Sequence, residues 1–165
     1  MKINDDMTLG QVKAYVLENR DKGLRCPCCD RIVKTYKYPM NVGLARAMIA
    51  AYRITKELQP ADGWFHLQRQ FTSHLGLNAN SLCYSRLKWW GMLESSTQTP
   101  SEDKNATGSW RITEKGKQFV EGAILVPESI QVYDNNLVGI SDGYIDIHTA
   151  LTVAFNYSEL MGRES

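Results

Sequence analysis

This sequence has no apolar run approaching the roughly 18 residues that a membrane span requires. Its opening, Met1-Lys2-Ile3-Asn4-Asp5-Asp6, has no apolar stretch behind a basic start. These two absences predict a soluble, unexported, cytoplasmic protein. Also missing are a Gly-rich phosphate loop, a Gly-x-Ser-x-Gly elbow, a His-Glu-x-x-His pair and carboxylates paired at a catalytic spacing. Histidine is scarce, with only His66, His74 and His148. None has an evident nucleophile beside it in the sequence, so catalysis is not expected. Cysteine is scarce too, with Cys26, Cys28, Cys29 and Cys83. Three of them crowd together, which suits metal or thiol chemistry in a reducing compartment better than a disulfide framework.

What is present is a charge asymmetry. Up to Gln118 there are 18 Lys and Arg against 11 Asp and Glu, a net of +7. From Phe119 onward Arg163 alone faces seven acids, a net of −6. A basic front part fits contact with nucleic acid, and charges clustered on solvated faces give the same count.

Periodicity and punctuation divide the chain into three parts: 1–40, 41–122 and 123–165. In the first, Thr8 can cap a helix over 9–19 whose Leu9, Val12, Val16 and Leu17 form an apolar face. A Cys-Pro-Cys-Cys turn follows, and then alternation over 32–38 predicts a short strand. In the second, Asn41 caps a long helix carrying Leu44, Ala47, Met48, Ala51 and Ile54 at the 3.6-residue period. Trp64 to Leu67 reads as a brief strand and 68–75 as a helix closed by Gly76. Asn80 or Ser81 caps a third helix running to Trp90, with Cys83 packed inside it as a small apolar group. Gly91 ends that helix, 92–96 is a strand, 97–108 a polar loop, and 109–112 the returning strand. Thr113 then caps a fourth helix from Glu114 to about Glu121. In the third part, strands over 129–134 and 137–141 predict a hairpin turning at Asn135-Asn136. Asp146 or Thr149 starts a last helix reaching about Leu160. The fold class is therefore α+β: a winged helix-turn-helix with an N-terminal helix and cysteine turn and a C-terminal hairpin plus helix.

The stretch Leu87-Lys88-Trp89-Trp90-Gly91-Met92-Leu93-Glu94, a polar loop, and then Trp110-Arg111-Ile112-Thr113-Glu114-Lys115-Gly116 resembles the wing region of MarR- and PadR-type transcriptional regulators. The resemblance covers about half the chain and implies a dimeric DNA-binding protein. The helices over 9–19 and 147–160 are the candidates for dimerisation. The full layout is also similar to small phage- and prophage-encoded proteins.

Helical spacing turns Leu82, Leu87 and Trp90 inward. It leaves Asn78, Asn80, Ser81, Tyr84, Ser85 and Lys88 as the outward set for base edges and phosphates, with Arg86 able to face either way. Trp64, Trp90 and Trp110 are expected in the core, and Trp89 partly exposed. Lys34 and Lys37, with Arg20, Lys22, Arg25 and Arg31 and with Tyr36 and Tyr38 interleaved, form a second candidate surface for phosphates or for an acidic protein. The loop over 97–108 carries Glu102 and Asp103 against Lys104. Such a loop suits a protein partner better than a groove lined with phosphates. A non-catalytic protein-interaction module, such as a phage-encoded modulator of a host or defence protein, is thus the alternative to a DNA-binding transcriptional regulator.

Cys26 and Cys29 have the Cys-Pro-x-Cys spacing of a zinc knuckle, in which the tight turn aims two sulfurs at one point. Cys28 adds a third thiol. The sequence holds no second Cys-x-x-Cys, so a zinc ion needs further ligands from Asp30 or from a symmetry mate. A turn that keeps the knuckle shape without metal is the other reading.

Overall fold

The computed structural model describes residues 3–78, 83–96, 108–152 and 155–162. In chain order the elements are α1 (Leu9–Asn19), β1 (Leu24–Arg25), β2 (Ile32–Val33), β3 (Tyr36–Pro39), α2 (Val42–Leu58), β4 (Phe65–His66) and α3 (Leu67–Leu75). A 3-10 helix (Tyr84–Trp90) follows, then β5 (Leu93–Ser95), β6 (Ser109–Ile112), α4 (Glu114–Val120), β7 (Val126–Pro127), β8 (Ser129–Tyr133), β9 (Asn136–Ile140), β10 (Tyr144–Ile145), α5 (Ile147–Leu151) and α6 (Tyr157–Leu160). The class is α+β, built on several small antiparallel sheets. No helix among the described residues is long and apolar enough to cross a membrane.

Contacts divide the chain into two compact units, 1–38 with 129–140 and 39–128 with 141–165. The hairpin that the sequence reading assigned to the C-terminal extension therefore clusters with the N-terminal part. Sequence adjacency is a poor guide here, because strand β8 hydrogen-bonds to β3 as well as to β9.

In the smaller unit, Thr8 and Gln11 form a reciprocal capping box at the start of α1. Of the expected apolar face only Val12 is buried; Leu9 stays 62% and Leu17 52% exposed. The strand expected over 32–38 is two strands with different partners. Ile32 and Val33 pair back on Arg25 and Leu24, whereas β3 joins β8 and β9. Between them the chain bends, and Thr35 donates its backbone N–H to the carbonyl of Arg20. The β8–β9 hairpin turns one residue earlier than expected. Asp134 and Asn135 both adopt left-handed φ, 47° and 59°, as a two-residue hairpin turn of matching twist requires, and Asn136 pairs with Tyr133.

The larger unit is organised by α2. Asn41 caps it by accepting from the Leu44 N–H at 2.9 Å, and Leu44, Ala45, Ala47, Met48, Ile49, Ala50, Ala51, Tyr52 and Ile54 are all buried. The alanines keep one face thin enough for close approach, while each fully buried Leu, Ile or Met contributes about 1.5–3 kcal/mol. Helices α3, α4 and α5, the 3-10 helix and β6 all pack on α2. A three-stranded antiparallel sheet runs in the order β4–β6–β5, with Trp110 of β6 opposite Phe65 on one side and Ser95 on the other. The strand pair β7–β10 follows, with Ile145 opposite Val126. Where one last helix was expected, the chain forms α5 and α6. Asp146 caps α5, and Thr152 at φ 59° stops it.

Candidate nucleic-acid interface

The surface begins with helix α3. Its N-terminus is capped by His66, whose Nδ1 accepts from the Arg69 N–H. Its C-terminus ends at Gly76 in the left-handed conformation, φ 65°, a geometry that a side chain would strain. Leu67 and Phe71 anchor the buried side, leaving Gln68, Arg69, Thr72 and Ser73 exposed.

The segment after it departs from the expected helix. Asn80, Ser81 and Leu82 lie outside the described residues. Cys83 has φ 52°, so no α-helix passes through it, and Tyr84–Trp90 is a 3-10 helix that Gly91 ends at φ 70°. Cys83 is exposed rather than packed inside. Leu87 and Trp90 are buried as expected.

Tyr84, expected to face outward, is half-buried. Its ring stands edge-on to Phe71 at 5.8 Å and to Trp110 at 5.6 Å between centroids, and burial raises its phenol pKa above the ordinary value. The 3-10 spacing of about three residues per turn sets Tyr84 on the side of the buried Leu87 and Trp90, while Tyr84 itself stays half-buried. Asn78 and Ser85 are exposed, and Arg86 and Lys88 half-buried. The Lys88 ammonium rests 4.6 Å from the centroid of Trp89, itself half-buried.

The sheet behind this surface is locked at several points. Thr113 donates its hydroxyl to the Gly91 carbonyl at 2.7 Å and accepts from the Gly116 N–H at 3.1 Å. One side chain thus ties the end of the 3-10 helix to the start of α4. Trp64, expected in the core, is half-buried instead. The Arg111 guanidinium lies 4.6 Å from its ring centroid while bonding the Glu94 carboxylate at 2.6 and 3.1 Å. Residues 97–107, including Glu102, Asp103 and Lys104, lie outside the described residues. Gly108, with φ 89°, brings the chain back so close to His66 that an added Cβ would stand 2.8 Å from Nε2.

Lys34 and Lys37 belong to the smaller unit and are exposed, as are Lys22, Arg25 and Arg31. Part of this positive charge is compensated locally. Arg25 pairs with Asp30 at 3.2 Å, and Arg20 reaches Asp21 at 3.9 Å with its guanidinium 4.7 Å from the Tyr133 centroid. Tyr36 and Tyr38 stack with their rings 7° from parallel and 6.2 Å apart.

The cysteine turn is a compact hairpin end. Cys26 donates its N–H to the Arg31 carbonyl at 2.7 Å, and Asp30, at φ 58°, donates to the Cys26 carbonyl at 2.8 Å. The backbone N–H groups of Cys28 and then Cys29 hydrogen-bond the Cys26 sulfur and hold its thiol below the ordinary cysteine value. Cys28 and Cys29 are exposed. Among the described residues no three His, Cys, Asp or Glu side chains converge on a position that could hold a metal ion.

No protein-family model, no curated protein and no solved structure matches this chain.

Proposed function

We propose that residues 42–120 form a winged-helix module that binds duplex DNA, serving a transcriptional regulator of the phage or prophage kind. The observation that carries this reading is the sheet order β4–β6–β5, with α2, α3 and the 3-10 helix preceding the hairpin that β5 and β6 form. In that arrangement the 3-10 helix is the element presented to the major groove. Ser85 and Lys88, with Arg69 on α3, are the side chains offered to phosphates and base edges. Lys34 and Lys37, exposed on the smaller unit, are by themselves a second candidate for phosphate contact.

The reading is tested by fluorescence anisotropy with a mixed-sequence duplex, titrated from about 50 to about 200 mM salt. Binding that weakens steeply with salt supports it. No salt-dependent affinity at any concentration ends it. A protein partner is the second reading, favoured by the acids Glu102 and Asp103 in the sequence between β5 and β6. It predicts that the duplex titration fails.

A further inference from the structure

We infer that the larger unit binds one small organic acid, a carboxylate on an apolar body, in a hollow between α2, α3 and α6. The site starts from a stripe of α2. Arg46, Ile49, Ala50 and Arg53 stand at i, i+3, i+4 and i+7, the spacing that sets side chains on one face of a helix. They line a cavity of about 180 Å3. Leu75 and Leu77, on either side of the Gly76 that ends α3, and Leu160 of α6 complete its apolar wall. Ala50 is the smallest of the lining residues, and a longer side chain there would fill the space.

Arg46 defines the charge of the ligand. Its Nε is buried and has no hydrogen-bond partner, and its guanidinium carbon lies 4.4 Å from the centroid of the Phe155 ring. A buried donor on a cation is costly until an acceptor meets it. The charged neighbours are engaged elsewhere. Arg53 pairs with Glu57 at 2.9 Å and reaches the Leu160 carbonyl at 3.4 Å. Glu159 lines the cavity from an exposed position, and among the described residues no ion pair joins it to Arg46. A carboxylate is the acceptor that fits, because a planar guanidinium takes both of its oxygens.

Volume and lining define the rest of the molecule. An apolar cavity of about 150 Å3 accommodates benzene, so this one takes a single ring or a short branched chain with one carboxylate. Ile49, Ala50 and the three leucines cover the apolar body, while Arg46 orients the acid. An apolar wall with a few placed polar groups is the usual composition of a small-molecule site. Acetate satisfies the charge and leaves the wall uncovered.

The experiment titrates benzoate and isovalerate into the full chain by calorimetry, with benzamide and acetate as controls. No DNA is present, so the outcome is independent of the duplex titration. The expected result is one benzoate or isovalerate per chain. Benzamide, which lacks the charge, and acetate, which lacks the apolar body, each bind about tenfold more weakly or worse. Arg46→Met keeps an apolar stem without the guanidinium and weakens benzoate about tenfold to a hundredfold. Ala50→Leu fills the cavity and abolishes binding. Circular dichroism establishes that each variant is folded, and if one is not, the other and the ligand series decide. Saturable binding by neither acid overturns the proposal. So does acetate or benzamide binding as tightly as benzoate, or unchanged benzoate affinity in folded Arg46→Met or Ala50→Leu.

Discussion

The indole N–H of Trp90 donates to the carbonyl of Pro127 at 2.8 Å, inside the protein. This bond joins the end of the 3-10 helix to strand β7, which itself pairs with β10. Trp90 is 2% exposed, so removal of the donor leaves a buried carbonyl without that partner, the expensive case for a hydrogen bond. Trp90→Phe is expected to destabilise the protein by about 1–3 kcal/mol. Urea unfolding followed by circular dichroism measures it, and an unchanged midpoint refutes it.

Gly116 explains the Thr-Glu-Lys-Gly stretch physically. A Cβ at this position would collide with the Met92 carbonyl oxygen and would stand 2.8 Å from Met48 Cε and 2.9 Å from Ile112 Cγ1. Helix α4 can sit against β5 and α2 only because nothing projects there. Gly116→Ala gains helix propensity of about 1 kcal/mol. The overpacking costs about 1–3 kcal/mol or more because one obstacle is backbone. The net expectation is a lower Tm. A raised Tm would show that α4 is free to move away.

Much of this was legible in the sequence wherever a single local interaction sets the outcome. Thr8, Asn41 and Thr113 cap the helices that they were expected to cap. Gly76 and Gly91 end helices in the left-handed conformation because glycine alone adopts it freely. The failures share another cause: the decision is tertiary or unusual. Nothing local shows that the Tyr84 ring meets Phe71 and Trp110 edge-on, since that depends on the tertiary position of Trp110. A non-glycine residue with positive φ, as at Cys83 and Thr152, breaks a helix without the usual marker. The association of 129–140 with the N-terminal part depends on pairing between β3 and β8, which no short-range pattern encodes. At the candidate interface the basic residues were visible as charge, but not which of them bond to neighbours.

Asp146 gives α5 a pH dependence of known sign. It accepts the Thr149 N–H at 2.7 Å, and hydrogen bonds from the Thr149 side chain and backbone hold its carboxyl below the ordinary aspartate value. A depressed folded-state pKa means that the stabilisation is complete above the unfolded value, near pH 4. It is lost as pH falls through the folded value. Asp146→Ala should cost about 1 kcal/mol at neutral pH, the ordinary worth of an N-cap. Asp146→Asn should keep most of that stability and flatten the decline below about pH 4. Thermal melts across an acid series check this. Equal slopes for the wild type and Asp146→Asn would contradict it.

Tyr84 and Lys88 lie four residues apart on the 3-10 helix and have different neighbours, rings for Tyr84 and the Trp89 face for Lys88. Tyr84 contacts Phe71 and Trp110 through ring edges. Tyr84→Phe preserves both contacts and should leave stability within about 1 kcal/mol of the wild type. Tyr84→Ala removes both edge contacts and should cost about 1–3 kcal/mol, the ordinary range for losing a half-buried aromatic side chain. Under the proposed DNA-binding reading neither change removes a phosphate contact, so the slope of duplex affinity against salt should stay constant in any variant that remains folded. Lys88 behaves conversely. Its ammonium lies over Trp89 at a half-buried site, and Lys88→Ala should leave the unfolding midpoint nearly unchanged. If Lys88 meets a phosphate, the same change lowers the salt slope by about 1. Arg69→Ala on α3 should act in the same direction, and the double variant should lower the slope by about 2 because each contact releases its own counterions. The decisive comparison is the slope of Lys88→Ala beside that of Tyr84→Phe. If they are equal, Lys88 makes no phosphate contact, and the 3-10 helix loses its place in the groove.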